Sequence, residues 1–146
     1  MKIHSIELEN FRQYQDKQLI EFSTNEKNVT VILGENGRGK TGIFRALIFC
    51  LYGDVTLSQD AKKAKTNQND ILHLVNINKL NENIDVACTA KIEVIFTYNG
   101  EKFVLTRTIR EMKTKKNELK KDGQTKAILQ RFDEYGNYKE VIEDND

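Results

Sequence analysis

Apolar residues recur with the two-residue period of β-strands in the first part of the chain. Ile6 and Leu8 belong to such an alternation and predict a strand over residues 1–9, and residues 19–22 predict a second strand. Residues 29–33, Val-Thr-Val-Ile-Leu, are apolar on both faces, a pattern typical of a fully buried strand. We therefore expect three strands in this part of the molecule.

The apolar period then lengthens to that of an amphipathic helix over residues 43–52. Gly53 follows the last periodic residue, where a left-handed glycine commonly ends a helix. Over residues 54–85 the periodicity is lost and asparagine is frequent, which predicts a long insertion with one short element at residues 71–75. The residues predicted to share the buried face of the helix are Ile43, Ala46, Leu47, Cys50 and Leu51.

Two β-hairpins are predicted in the second half of the chain. Alternation over residues 92–98 leads into Asn99-Gly100, a pair preferred in type I′ turns, and the return strand continues over residues 103–107. Residues 111–126 are almost wholly polar, which predicts an exposed loop or a projecting ribbon. The last hairpin is expected within residues 129–141, around a polar turn.

Composition narrows the class of protein only slightly. A chain of 146 residues is long enough for one domain with a hydrophobic core, and its net charge of +1 hides positive clusters at residues 62–65 and 113–126. Cys50 and Cys88 lie in apolar stretches without metal-ligand spacing, so we interpret them as buried thiols of a reducing compartment. Because neither a signal peptide nor an apolar span of about 18 residues is evident, we expect a cytoplasmic protein without a membrane segment.

Residues 34–41, Gly-Glu-Asn-Gly-Arg-Gly-Lys-Thr, have the spacing of a P-loop between the predicted strand and helix. Glycines at these positions let successive backbone N–H groups face phosphate oxygens, and the helix N-terminus adds its positive end. Lys40 would reach the β and γ phosphates, and the Thr41 hydroxyl would bind Mg²⁺. The sequence therefore predicts a site for a nucleoside triphosphate with Mg²⁺.

The acidic strand that completes a hydrolytic P-loop site is not evident after Tyr52. The nearest candidate is residues 141–144, Val-Ile-Glu-Asp. Either the acidic element lies beyond residue 146 in a longer natural protein, which we favour, or the domain binds nucleotide without efficient turnover. GTPase-like sequences at residues 133–136 and 78–81 occur in reversed order, and antiparallel hairpins disfavour a small-molecule kinase.

These features together resemble the N-terminal nucleotide-binding lobe of SMC and SbcC-type ATPases, the branch of the ABC ATPases that acts in DNA repair and chromosome structure. The resemblance is carried by the opening strand, the Asn-Phe-Arg connection at residues 10–12, the loop with Asn36-Gly37, and the later hairpins. Residues 10–14 and 50–53 are most similar to DndD-like ATPases of phosphorothioate DNA restriction systems.

The resemblance implies an α/β P-loop NTPase fold, with a mixed and antiparallel sheet around one P-loop helix. Residues 1–146 would form the N-terminal lobe of a longer chain that continues into a coiled coil and a C-terminal lobe. Arg12 would contact the phosphates, and ATP would lie between two heads. The implied nucleotide-binding residues are Arg12, Gly34, Asn36, Gly37, Gly39, Lys40, Thr41 and Gly42, with Thr41 also the metal ligand.

Two residues of the loop depart from the family pattern. Arg38 occupies a position that is usually small, and Gly42 replaces the second hydroxyl that often follows the loop. The Gly42 change removes one phosphate contact, so tight binding by this lobe alone is in question.

The lysines of residues 113–126 are candidate DNA contacts, because cations on a projecting loop can neutralise phosphates without sequence preference. We expect an ATP-binding lobe that couples head dimerisation to DNA repair, DNA restriction or phage defence. Its implied partners are a C-terminal lobe and dimer mate forming the second head, DNA, and a nuclease or restriction protein. The alternative is a non-enzymatic nucleotide-sensing or assembly module. The candidate DNA contacts are Lys113, Lys115, Lys116, Lys120 and Lys121.

Overall fold

A computed structural model of the chain describes residues 1–24, 26–37, 39–53 and 73–145. The elements in these ranges are β1 (Lys2–Phe11), β2 (Tyr14–Glu21), α1 (Lys40–Tyr52), α2 (Ile77–Glu82), β3 (Cys88–Tyr98), β4 (Glu101–Lys113), β5 (Leu119–Lys121), β6 (Lys126–Phe132) and β7 (Tyr138–Asn145). Neither described helix has the length and apolar character needed to cross a membrane. Arg38, the positive cluster at residues 62–65 and the beginning of the short element predicted at residues 71–75 lie outside the described residues.

The strands form one sheet in the order β2-β1-β3-β4-β6-β7, with β5 paired to β4. The α/β class and the antiparallel hairpins predicted from the sequence are confirmed. Every pairing between the described strands is antiparallel, so these residues contain no parallel pair that would make the sheet mixed. At the β3–β4 turn, Asn99 (φ 49°) and Gly100 (φ 81°) are both left-handed, as a type I′ turn requires.

The core lies between one face of the sheet and α1. Alternate residues of a strand share a face, and Ile6 and Leu8 of β1 and Ile92 and Val94 of β3 are all fully buried. The face of the sheet that carries them therefore packs against the helix, and the sequence alternation identified this face correctly. From α1, the buried core residues are Ala46, Phe49 and Cys50.

The buried face of α1 is shifted from the predicted one. Phe49, which the periodicity did not select, is buried and stacks on Phe11 with ring centroids 6.0 Å apart. Leu51, which was expected to be buried, is only half-buried. The helix ends as predicted, because Gly53 is left-handed (φ 72°) and its N–H donates to the Phe49 carbonyl at 2.8 Å.

The predicted strand at residues 29–33 is wrong, because this segment pairs with no strand among the described residues. Val29, Val31 and Leu33 expose 66%, 72% and 88% of their surface. A nearly continuous apolar sequence indicates a strand covered on both faces, and such a strand needs neighbours on either side. The described sheet supplies none, so an apolar segment stays exposed directly before the phosphate loop.

The loop predicted over residues 54–85 contains a helix, α2, which the polar composition concealed. Only its Leu80 is buried. Its start is fixed by Asn76, whose side-chain oxygen accepts from the N–H groups of Asn78 and Lys79 at 3.0 and 3.2 Å. Preceding it, Val75 forms an isolated bridge with Phe11, which ties this segment to the end of β1.

A buried carboxylate holds the segment before α2 in place. Glu111 of β4 is 5% exposed, and its oxygens accept from the N–H groups of Leu74 and Val75 at 3.0–3.1 Å. Such bonds satisfy two backbone donors that no strand partner covers, which makes the carboxylate costly to replace.

Replacing Glu111 with glutamine is expected to destabilise the protein by about 1–3 kcal/mol, since an amide nitrogen would face backbone donors. Thermal denaturation should show a Tm lower by roughly 3–10 °C. The matched control is Glu118→Gln, which changes the same charge on the exposed ribbon and should leave the Tm nearly unchanged. Equal melting temperatures for both variants and the wild type would contradict this assignment.

Candidate phosphate-binding site

The loop before α1 has the backbone conformation that its glycines predict. Gly37 (φ 80°) and Gly39 (φ 106°) are both left-handed, which residues with a side chain rarely adopt. Lys40 is the first residue of the helix. Its ammonium donates hydrogen bonds to the carbonyls of Gly34 and Glu35, the latter at 2.8 Å. The lysine therefore extends back along the loop and holds its charge within it.

The start of α1 is suited to an anion. Gly39 provides no side-chain cap, and the first turn contains no acidic residue. The first N–H groups of a helix have no intrahelical acceptor, and the helix here begins at Lys40, whose ammonium lies along the preceding loop. A phosphate group fits this combination of backbone donors and a cation, and the Thr41 side chain is exposed at the same helix end.

The other predicted nucleotide-binding residues divide by burial. Gly34, Asn36 and Gly37 are exposed along the loop, whereas Gly39 and Gly42 are buried at the helix start. The residues of the loop thus lie together as expected, although their assignment to a nucleotide stays a prediction.

Arg12 lies in the turn between β1 and β2, in a left-handed conformation (φ 51°) that is unusual for arginine. Its N–H donates to the Leu74 carbonyl and its own carbonyl accepts from the Asn76 side chain, both at 2.7 Å. These bonds hold a backbone conformation that is otherwise unfavourable, as often occurs near functional sites. The segment anchored by Glu111 therefore supports the turn that carries Arg12.

Two residues that were not among the predicted nucleotide-binding residues connect this turn to the phosphate loop. The Tyr14 hydroxyl donates to the Gly39 carbonyl at 2.8 Å, and the Gln13 amide donates to the same oxygen at 3.3 Å. Burial raises the pKa of the Tyr14 phenol, with a hydrogen bond from Gln13 opposing the shift, so the phenol stays protonated as a donor near neutral pH. Phe11, which precedes them in the chain, is fully buried in the core.

At the other end of α1 a buried arginine donates a hydrogen bond to a backbone carbonyl of the last turns. Arg107 donates from Nε to the Cys50 carbonyl at 3.0 Å and lies 5.8 Å from the centre of the Phe49 ring. Burial raises the pKa of the Cys50 thiol to about 12, although the charge of Arg107 opposes the shift. Cys50 is therefore an unreactive core residue, as its apolar surroundings predicted.

The candidate DNA-binding lysines lie on the ribbon formed by the end of β4 and β5, as the polar stretch predicted. Lys113 donates to the Asn81 side chain at 2.6 Å, Lys115 lies 3.5 Å from Asp85, and Lys120 lies 3.3 Å from Glu118. Lys120 and Lys121 line a cavity of about 190 Å³ that also includes Gly53. The ribbon thus lies beside the C-terminal end of α1, and a 13-residue helix places that end about 20 Å from the phosphate loop.

Two other sequence candidates have structural roles. Val141 and Ile142 lie on the edge strand β7 with exposed side chains, so residues 141–144 do not form a buried acidic strand. The Asp133 carboxylate accepts from the N–H groups of Tyr135 and Asn137 at 3.0 and 2.8 Å within the β6–β7 turn. These bonds lower the pKa of Asp133 and explain the GTPase-like sequence as a turn.

Comparison with known proteins defines the class. A family model described as an AAA domain matches residues 5–145, and the chain belongs to this family. This match and the relatives below support the resemblance to SMC/SbcC-type ATPases that the sequence predicted, whereas the similarity to DndD-like ATPases stays a prediction.

Three relatives match parts of the chain. The chain is 45% identical over 53 residues to the DNA replication and repair protein RecF of Acetivibrio thermocellus, covering 36% of this chain and 13% of RecF. It is 31% identical over 98 residues to the Retron Vc95 probable ATPase of Vibrio cholerae serotype O1 biovar El Tor, covering 64% of this chain and 18% of that protein. The DNA double-strand break repair Rad50 ATPase of Methanococcus maripaludis is 44% identical over 52 residues, 36% of this chain and 5% of Rad50.

A solved structure confirms the fold. It comes from work on ATP-driven dimerization and DNA-stimulated activation of SMC ATPases, and aligns with a TM-score of 0.54 at 23% identity. The alignment covers 96% of this chain and 73% of that structure. The chain spans less than a fifth of the length of the three relatives above.

Proposed function

We propose that the chain is the ATP-binding lobe of an SMC/SbcC-like ATPase, acting in the cytoplasm, in which nucleotide-driven dimerisation of heads is coupled to DNA repair, DNA restriction or phage defence. The observation that carries the proposal is the helix start at Gly39. It has no side-chain cap, and the ammonium of Lys40 lies along the loop that precedes it. A triphosphate is the ligand whose charge and acceptors match this arrangement.

Each residue of the site has a definable task in this proposal. The N–H groups at the start of α1 and the Lys40 ammonium would bind phosphate oxygens, and the Thr41 hydroxyl would hold Mg²⁺, which neutralises phosphate charge. The Tyr14 hydroxyl bonds the Gly39 carbonyl, so the turn that carries Arg12 lies beside the phosphate loop. Asn36, Gly37 and Gly39 would shape the loop around the phosphates.

The exposed apolar segment at residues 29–33 supports the proposal that another lobe packs against this chain. Apolar side chains of this extent on a surface mark a site of association. We propose that the C-terminal lobe of the same ATPase covers this segment and supplies the acidic residue that the described residues do not provide. The proposed partners of the chain are therefore this C-terminal lobe and the second head of the dimer.

Nucleotide binding tests the proposal directly. A ligand that binds only the folded state must raise its stability, so ATP with Mg²⁺ should raise the Tm of the intact protein. An intact, folded protein whose Tm and heat of mixing do not respond to millimolar ATP would overturn the proposal.

The lysine ribbon is proposed to contact DNA phosphates. Changing Lys116, Lys120 and Lys121 to glutamate should reduce the affinity of the intact protein for duplex DNA at least about ten-fold at 0.1 M salt. Each lost contact should also reduce the slope of log affinity against log salt by about 0.9. Fluorescence anisotropy with a labelled duplex measures both quantities.

The control for net charge changes three lysines outside the ribbon to glutamate. Lys17, Lys27 and Lys139 are exposed and belong to other parts of the sheet and its connections. Equal losses of affinity in the two triple variants would indicate a general charge effect and would reject the ribbon as a specific contact. Unchanged affinity in the ribbon variant would reject it as well.

A further inference from the structure

The side chain of Gln13 lies where a side chain at position 42 would begin. A Cβ atom added to Gly42 would be 2.1 Å from Gln13 Nε2, 3.0 Å from its Cδ and 3.2 Å from its Oε1. Gly42 has no left-handed backbone angle that would require glycine, since it lies inside α1. The space at position 42 is therefore taken by the Gln13 carboxamide, and this contact accounts for the missing side chain.

The same carboxamide bonds the residue directly before the helix. Gln13 Nε2 and Tyr14 Oη both donate to the carbonyl of Gly39, the residue with φ 106°. That carbonyl also accepts from Gly42 N–H at 2.7 Å and Ile43 N–H at 3.3 Å. Gly39 is thus held by the first turn of its own helix and by two side chains of the β1–β2 hairpin.

We propose that Gln13 is a positioning residue of the nucleotide site, which fixes the Gly39 carbonyl and so the orientation of the N–H groups that bind phosphate, with Gly42 as the space it requires. This inference rests on the proposed binding of ATP. It replaces the interpretation of Gly42 as a plain loss of a phosphate contact, because the space freed by the glycine holds a hydrogen-bonding group supplied by the hairpin.

If Gln13 and Gly42 act together in this way, substitution of Gly42 should affect stability and ATP affinity differently. Alanine at position 42 suits the helix better than glycine does, and the atoms it would displace are the end of a flexible side chain. Gly42→Ala should therefore leave the Tm of the nucleotide-free protein equal or higher. Its affinity for ATP should nevertheless fall roughly five-fold, because the carboxamide is moved off the Gly39 carbonyl and one hydrogen bond is lost.

Removal of the carboxamide itself should have the same effect on binding. Gln13→Ala is expected to weaken ATP binding roughly five-fold, and the double variant with Gly42→Ala should bind no more weakly than either single variant. Gln18→Ala, which removes an exposed carboxamide from the same hairpin, is the matched control and should bind as the wild type does. Titration of the intact proteins with a fluorescent ATP analogue, together with melting curves without nucleotide, measures these quantities.

The outcomes separate this inference from the proposed function. If the wild type binds ATP and the Gln13→Ala and Gly42→Ala proteins bind equally well, the positioning role is overturned and the nucleotide site stands. Full multiplication of the two losses in the double variant would also overturn it, because the residues would then act independently. If the folded wild type binds no nucleotide, both the proposed function and the positioning role are rejected.

Discussion

The Lys40→Ala protein is expected to bind ATP with Mg²⁺ about 100-fold or more weakly than the wild type. Hydrogen bonds from a charged donor contribute about 1.5–3 kcal/mol each, and the ammonium would serve two phosphate groups. Two such bonds correspond to a loss of about 3 kcal/mol or more, which is more than two orders of magnitude in affinity.

The melting temperature provides a direct measurement. With ATP at about 100 times its Kd, the wild type gains about 2.7 kcal/mol, a rise of roughly 5–10 °C for a domain of this size. At the same ATP concentration the Lys40→Ala protein should shift by only about 1 °C. Lys27→Ala, an exposed lysine with the same change in charge, should shift as the wild type does.

The nucleotide-free proteins provide the second control. Within the described part of the chain Lys40 bonds to carbonyls of the loop before it, so its removal should change the Tm without ATP very little. A Lys40→Ala protein that is stabilised by ATP as strongly as the wild type would contradict the assignment of the loop. A protein that unfolds without ATP would show instead that Lys40 is a structural residue.

The parts of the fold that could be predicted have local signals. The glycines of the phosphate loop, the Asn99-Gly100 turn and the Gly53 helix end each require a backbone conformation that few residues adopt, so the sequence identifies them. The alternation in β1 and β3 likewise identifies the buried face, because side chains of a strand alternate between its two faces.

The parts that could not be predicted depend on contacts between distant residues. Glu111 and Arg107 lie in stretches with polar neighbours, and only the folded chain shows that backbone groups of Leu74 and Cys50 require them. The contact between Gln13 and Gly42 joins residues far apart in sequence, and a glycine in a helix does not reveal what fills its space. For such residues the sequence gives the chemistry of the side chain without its partner.

For the segment at residues 29–33 the sequence pattern predicts burial that the described residues do not provide. Its apolar sequence predicts burial on both faces, whereas the described residues leave Val29 and Val31 mostly exposed. The pattern specifies that a partner is needed but does not identify it.

The Val29→Lys/Val31→Lys double variant is expected to lose the ATPase activity of the intact protein, at least about ten-fold, while ATP binding by the folded lobe is retained. If the C-terminal lobe covers these side chains, burial of the two valines contributes about 3 kcal/mol or more to the association. Two lysines at the same positions would place unpaired ammonium groups in the contact, which adds a further cost. Steady-state ATP hydrolysis and cross-linking between the lobes measure the loss.

The matched control places two lysines at apolar positions of comparable exposure elsewhere. Val86 and Ile142 are 57% and 55% exposed, and the Val86→Lys/Ile142→Lys variant changes the net charge equally. It should hydrolyse ATP at the wild-type rate, since neither residue belongs to the segment before the phosphate loop. Full activity of the Val29→Lys/Val31→Lys protein would reject the proposed contact, because charged groups buried between the two lobes are not compatible with an assembled, active head.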